Sequence, residues 1–342
     1  MEDSVTLPLF DRFPGTKNLS HVTLGCFPTP VEPVPGLARM LGIRSCLVKR
    51  DDISGRAYGG NKVRKLEFLL GQALAENRRA VITFGAVGSN HVRATAVYGA
   101  QVGLQVHAVL APQPSTPYLE ANLLADRAAG ATLHFAESYA QALARGAELR
   151  DEIALRDGVA PLAIPFGGTN SRGIIGFVNA ACELAAQVEA GALPAPDLIY
   201  LPYGSTGTAS GLAIGLAAVG LRTSVIGVRV VPAESTNPVR AMRVMEEAIT
   251  LLRELDAGFP SLRPESVALE VRDGFLGDGY AAATPESLEA VALAEANKMH
   301  LETTYTGKAL AALIADARAG RLAGKTALFW NTYSSASGSL TG

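Results

Sequence analysis

Cysteine, histidine and tryptophan are scarce in this chain of 342 residues, which holds three, five and one of them. Cys26, Cys46 and Cys182 form no CxxC pair and leave one odd thiol. That argues against a disulfide framework and a cysteine-held zinc site, and it suits a reducing compartment. The histidines show no metal-ligand spacing, so no metal is expected. An excess of one charge is also missing: the formal net charge is −2, and no basic run is interleaved with aromatics. Nothing therefore favours nucleic acid or an anionic membrane surface as a partner. No apolar stretch is long and pure enough to cross a bilayer, and the opening residues, with Glu2 and Asp3, do not read as a secretory signal. A cytoplasmic location is the expectation that remains.

Apolar side chains and glycine are abundant instead: 48% of residues are hydrophobic, 18% are charged, and 35 are glycine. A chain of this length can build two packed units around a large core. Short β-rich runs occur at Cys46–Lys49, Ala80–Phe84, Val106–Leu110, Thr132–Phe135, Leu198–Leu201, Val225–Val231 and Ala327–Trp330. They alternate with helical patterns such as Lys65–Glu76, Asn90–Gln101, Pro117–Ala128 and Gly207–Val219. Near-continuous apolar strands separated by helices predict an α/β fold with parallel sheets covered on both faces. The chain is expected to cross between its units near Ser54–Gly60 and in a loop near Pro161–Asn170. That gives a large unit of residues 1–60 and 170–342 and a small α/β unit of residues 61–169.

Three motifs carry chemistry. In Gly59-Gly60-Asn61-Lys62, two glycines let the backbone approach a bound group closely, and the lysine that follows opens an amphipathic helix. Such a lysine can form a Schiff base with a carbonyl, and pyridoxal phosphate is the carbonyl enzymes most often store there. Alone, the motif reads sooner as a glycine turn followed by a basic helix end. Gly85-Ala86-Val87-Gly88-Ser89-Asn90-His91 follows an apolar strand and opens a helix, where free N–H groups and the helix dipole suit a carboxylate. Plain N-capping by Ser89 or Asn90 explains it as well. Tyr203-Gly204-Ser205-Thr206-Gly207-Thr208-Ala209-Ser210-Gly211 offers backbone N–H groups and the hydroxyls of Ser205, Thr206 and Thr208 as a phosphate cup. It contains no lysine or arginine and misses the G-x-G-x-x-G spacing, so a neutral cup for a small phosphate monoester is expected.

Two pieces lie near the C-terminus. Tyr305 stands at a helix entry, either to exchange a proton with a substrate or to pack in the core. Thr332 ends an apolar strand, where α/β sheets place ligands, or it closes a turn.

In this order, GGNK–RKLEF, GSNHVR, the GGTN of Gly167–Asn170, the Gly204–Gly211 cup and TYTGK resemble the D-cysteine desulfhydrase and aminocyclopropane-carboxylate deaminase family. The likeness runs from about Leu24 to Thr332. It implies a tryptophan-synthase β fold, with two open, twisted, mostly parallel sheets, flanking helices and a site in the cleft between them. It also implies pyridoxal 5′-phosphate as cofactor, a small amino acid as substrate, and a homodimer. Lys62 would carry the Schiff base and take the substrate Cα proton. Asn90 would bond the cofactor 3′-oxygen, and Ser89, with His91 nearby, would hold the substrate carboxylate. Ser205, Thr206, Gly207 and Thr208 would bind phosphate, Tyr305 would face the substrate and handle protons, and Thr332 would approach the pyridine nitrogen. A neutral hydroxyl there favours elimination over a stored carbanion.

The activity so implied is α,β-elimination on a β-substituted amino acid, with D-cysteine going to pyruvate, ammonia and sulfide. His91 and Thr306 follow the desulfhydrase branch, where deaminases carry Gln and Glu. Departures occur at Gly88 and Ala94, each in place of Gln, at Glu302-Thr303-Thr304 in place of Asp-Pro-Val, and at Tyr333 in place of Gly. Loss of two long amides is expected to open the pocket while Tyr333 adds bulk, which brings in cysteate or a larger substrate as an alternative. Ring opening, racemisation and a cofactor-free two-lobed binding protein are the other readings.

Overall fold

The computed structural model describes residues 6–335. Its strands are β1 (Val31–Pro33), β2 (Ser45–Lys49), β3 (Ala80–Ala86), β4 (Gln105–Ala111), β5 (Thr132–Phe135), β6 (Leu162–Ile164), β7 (Leu198–Tyr203), β8 (Ser224–Arg229), β9 (Leu269–Arg272) and β10 (Thr326–Trp330). The helices are α1 (Pro8–Arg12), α2 (Pro35–Leu41), α3 (Lys62–Ala75), α4 (Asn90–Gln101), α5 (Leu119–Ala128), α6 (Tyr139–Asp157), α7 (Ser171–Glu189), α8 (Gly207–Ala218), α9 (Pro238–Leu255), α10 (Pro285–Ala296) and α11 (Thr306–Arg318).

The strands form two sheets. The larger runs β1-β2-β10-β7-β8-β9, parallel except for β1 against β2. The smaller runs β5-β4-β3-β6 and is parallel throughout. Both sheets are the α/β architecture expected from the apolar runs. The seven expected strands are present, but Val230 and Val231 lie beyond the end of β8. The sequence reading missed β1 and β6, whose three residues are too short for a periodic signal, and β9, whose apolar residues alternate with Glu270 and Arg272. β6 also corrects the expected loop near Pro161–Asn170, because Leu162–Ile164 pairs with Val81–Thr83.

Alternation along each strand sends side chains to opposite faces. Ile199, Leu201, Leu328 and Trp330 enter one core with α7, α8 and α9, whereas Tyr200, Ala327 and Phe329 enter a second with α2, α10 and α11. In the smaller sheet, Val81 packs beside residues of α3 and α4, while Ala80, Ile82 and Phe84 pack with residues of α6. Helices follow the same logic: α9 buries Ala241, Val244, Met245, Ala248, Ile249 and Leu252 at helical spacing. The ends of β2, β7 and β10 therefore face the same way, toward the end of β3 across a cleft.

Candidate active site

A cavity of about 580 Å³ opens at those strand ends. The loop after β7, the start of α4 after β3, the start of α3, and the residues after β10 all line it. This is the crevice where parallel sheets place ligands. Lys62, Ser89, Asn90, His91, Ser205, Thr206, Thr208, Tyr305 and Thr332 border it together. Of the expected site residues, Gly207 stands behind this wall.

Lys62 is the first residue of α3, and its Nζ donates to Asn61 Oδ1 at 2.6 Å. Burial brings its pKa down to about 8, with Glu302 pulling weakly the other way. A useful fraction of the amine is therefore neutral and nucleophilic near physiological pH. Asn61 Nδ2 in turn donates to Thr208 Oγ1 at 2.9 Å. One amide thus joins the lysine to the hydroxyl cup, a role the sequence reading did not assign to Asn61.

The two glycines before it also admit close protein backbone. A Cβ on Gly59 would lie 2.1 Å from the Asp52 carbonyl oxygen, and one on Gly60 2.8 Å from that of Thr332. Gly60 also has φ +91. The glycines let protein backbone pass close by.

The cup is the start of α8. Thr206 takes φ +69, an uncommon conformation for a residue with a Cβ, and so turns the chain into the helix. Thr169 Oγ1 donates to Ser205 Oγ at 3.0 Å. An amine from outside the loop stands beside the cup: Lys65 Nζ lies 3.0 Å from where a Gly207 Cβ would sit and donates to the Gly167 carbonyl at 3.0 Å. Lys65 lies one turn along α3, outside the loop, so spacing within the loop could not reveal it. Its pKa is pushed well down by burial and then by Lys62, which favours the neutral amine.

Ser89 caps α4, accepting from the N–H groups of His91 at 3.2 Å and Val92 at 3.4 Å. Its hydroxyl hydrogen remains available to the cavity. His91 is buried and kept neutral by desolvation and then by Lys62 and Lys65, and its Nε2 pairs with Thr83 Oγ1 at 3.2 Å.

Tyr305 stands immediately before α11 and shares a hydrogen bond with the phenol of Tyr280. Both phenols line the cavity, and burial raises the pKa of each. Tyr280 lies in a loop with no motif, so the sequence offered no signal for it. Glu302 accepts from the N–H groups of Thr304 at 2.7 Å, Tyr305 at 3.0 Å and Thr306 at 2.8 Å. Its carboxylate therefore shapes the turn that presents the phenol.

The expectation that Gly88 and Ala94 open the pocket is not met. Neither residue lines the cavity. A Cβ on Gly88 would meet Gln113 Nε2 at 2.8 Å and Leu119 Cα at 3.3 Å, so Gln113 has taken the space. Ala94 lies in the apolar core with Tyr58, Val63 and Leu66. Tyr333 does border the cavity, its ring centroid 5.4 Å from that of His300.

These residues fit pyridoxal phosphate. The lysine amine is partly neutral, and the cup behind it is held open because a side chain on Gly207 would strike Thr169 Oγ1 at 2.6 Å. Among the described residues no cluster suits a metal ion, and no helix is long and apolar enough to cross a membrane.

Comparison with known proteins agrees. The chain is similar to a D-cysteine desulfhydrase of Klebsiella pneumoniae, 36% identical over 291 residues, 84% of this chain and 85% of that protein. It is similar in structure to an ACC deaminase homologue, with TM-score 0.82, 30% identity and 96% and 95% of the two chains covered. It shares the fold of the processed threonine deaminase isoform 2 from Solanum lycopersicum, at TM-score 0.61, 19% identity and 95% and 89% coverage. The family model described as pyridoxal-phosphate dependent enzyme matches residues 22–332, so the chain belongs to that family, in its D-cysteine desulfhydrase and ACC deaminase group.

Proposed function

We propose that the chain is a lyase that removes the β-substituent of a small amino acid, converting D-cysteine and water to pyruvate, ammonia and sulfide. The observation that carries the reading is the meeting, in one cavity, of the Lys62 amine, the hydroxyl cup of α8 and two bonded phenols. Bound pyridoxal phosphate supplies an electron sink for negative charge at the substrate Cα.

The chain's own groups do the rest. Lys62 holds the cofactor and then takes the Cα proton, since its lowered pKa lets it act as a base near neutrality. Ser205, Thr206 and Thr208, the first N–H groups of α8 and the Lys65 amine beside them would hold phosphate. The Ser89 hydroxyl and the start of α4 orient the substrate carboxylate, with the His91 ring behind them. The Asn90 amide bonds the cofactor 3′-oxygen. Tyr305, with Tyr280 on its hydroxyl, delivers or removes protons near the leaving group. Thr332 meets the pyridine nitrogen with a neutral hydroxyl, which suits a fast elimination.

A large cofactor-binding unit of residues 1–60 and 170–342 and a small unit of 61–169 are supported by the separate chain stretches that supply the two sheets. One observation favours a second reading of the substrate. Tyr333 stands on the cavity wall where the resembled family carries glycine, which favours a different β-substituent, such as the sulfonate of cysteate.

The test is incubation of the purified holoenzyme with D- and L-cysteine, cysteate, β-chloroalanine and aminocyclopropane carboxylate. Pyruvate from D-cysteine is expected, and pyruvate from none refutes elimination. 2-Oxobutanoate would instead report ring opening, and chiral analysis of unreacted amino acid would report racemisation.

A further inference from the structure

We infer that Asn122 and Arg93 are positioning residues that lock the side-chain amide of Asn90 with its NH₂ toward the cavity. The inference rests on the reading that Asn90 donates to the cofactor. An asparagine amide looks nearly the same either way round, so its direction must come from its partners.

Here the partners leave one solution. Arg93 Nη1 lies 2.9 Å from Asn122 Oδ1, and a guanidinium can only donate. Asn122 Nδ2 lies 2.8 Å from the Gly88 carbonyl oxygen, which can only accept. Both contacts fix the Asn122 amide in the same sense. Its second N–H then has to donate to Asn90 Oδ1, 3.0 Å away. Tyr58 donates its phenol to that oxygen at 3.1 Å. With Oδ1 holding two donors, the remaining Asn90 group is NH₂, and among the described residues it has no partner while its side chain borders the cavity.

The lock is buried and closes on itself. Tyr58 and Asn122 are each 1% exposed and Arg93 is 4% exposed. The Arg93 guanidinium sits 4.7 Å from the centre of the Tyr58 ring, so one cation orders both donors to Asn90. Because a guanidinium offers N–H donors and no acceptor, its bond fixes the sense of the Asn122 amide. None of the three groups that set the direction lines the cavity, so they act through Asn90 and not on substrate.

Asn122→Asp tests this. It keeps size and the bond from Arg93 but removes both donors, so Asn90 would turn its NH₂ toward residue 122 and its oxygen toward the cavity. In the holoenzyme we expect the visible absorption maximum and its pH midpoint to move in the same direction as in Asn90→Ala, with cofactor held roughly tenfold more weakly. In the Asn90→Ala background, Asn122→Asp should add nothing. A purely structural role would give an added loss there.

If Asn90→Ala shifts the spectrum while Asn122→Asp leaves it as in the parent, the positioning role is refuted alone. If Asn90→Ala itself is silent, the cofactor reading of Asn90 fails and takes the inference with it. Should Asn122→Asp not fold, Asn122→Ala, which removes the donor without adding charge, enters the same cycle.

Discussion

The hydroxyls of Tyr118, at the foot of α5, and Thr304, just ahead of α11, share a hydrogen bond of 2.7 Å across the cleft. Position 304 is valine in the resembled family, and valine offers no hydroxyl, so this bond is a property of the present chain. Burial keeps the Tyr118 phenol protonated, with its pKa raised. Thr304 precedes Tyr305 directly, so the bond steadies the turn that carries the Tyr305 phenol. Thr304→Val and Tyr118→Phe should each cost about 1 kcal/mol, and the double variant no more than either single one. Thermal unfolding and kcat/KM measure this; losses that simply sum would mean the two hydroxyls are not coupled.

Lys62→Ala should remove turnover and the visible absorbance band while leaving the apoprotein at least as heat-stable as the parent, since a desolvated amine is deleted. The pH dependence follows from the lowered pKa. The neutral amine becomes available above about 8, not above the ordinary 10.5. Stopped-flow uptake of pyridoxal phosphate by apoprotein should therefore quicken as pH rises through about 8. A profile flat from pH 6 to 9 would contradict the assignment.

Tyr305→Phe should lower kcat by about 10²–10⁴-fold with little loss of cofactor. Tyr280→Phe should lower it less, and in the Tyr305→Phe background it should have no further effect, because the Tyr280 hydroxyl acts through its partner. Full activity in Tyr305→Phe would make that ring a packing residue.

Glu183→Ala should destabilise the fold by about 3–5 kcal/mol, by stranding two buried cations. Arg64 Nη1 donates to Glu183 Oε2 at 2.9 Å and Lys49 Nζ to Oε1 at 2.6 Å, while Arg64 also grips Asp51 at 2.8 Å. Burial pushes the Glu183 carboxyl up, but Arg64 and Lys49 outweigh it and bring the pKa to about 2. Its contribution is thus whole above its ordinary pKa of 4.5 and is lost as pH falls through about 2. The parent should lose stability across that acid range, and the variant should show a flatter profile in denaturant titrations.

Gly88→Gln restores the residue of the resembled family but should cost about 1–3 kcal/mol, because Gln113 and the Leu119 backbone already fill the space. Gln113→Ala in that background should recover part of the loss. An unchanged melting temperature in Gly88→Gln would show that the site yields without strain.

Strands of five or more residues were legible because a sheet buried on both faces demands an unbroken apolar run, as in Ala80-Val81-Ile82-Thr83-Phe84. β1 and β6 were not, since three residues carry too little pattern, and β9 was not, since Glu270 and Arg272 interrupt its apolar residues. Within the site, residues inside glycine-marked turns announced themselves: Lys62, Ser89, Asn90 and the cup. Residues brought in from elsewhere did not. Lys65 reaches the cup from one turn along α3, Tyr280 comes from an unmarked loop, and Asn122 lies on a different helix from the asparagine it steers. Likewise Gly88 read as lost volume because nothing along the chain says that Gln113 folds into the gap.

The late arrival of β10 has a consequence for synthesis. That strand is wedged between β2 and β7, and Thr332, just past its end, accepts the N–H of Asn61 at 3.1 Å. A chain emerging from the ribosome therefore exposes its reactive lysine some 270 residues before the opposite wall exists. On the role proposed for Lys62 and Thr332, a stalled or clipped product lacking that last strand should be colourless however much of the remainder had folded.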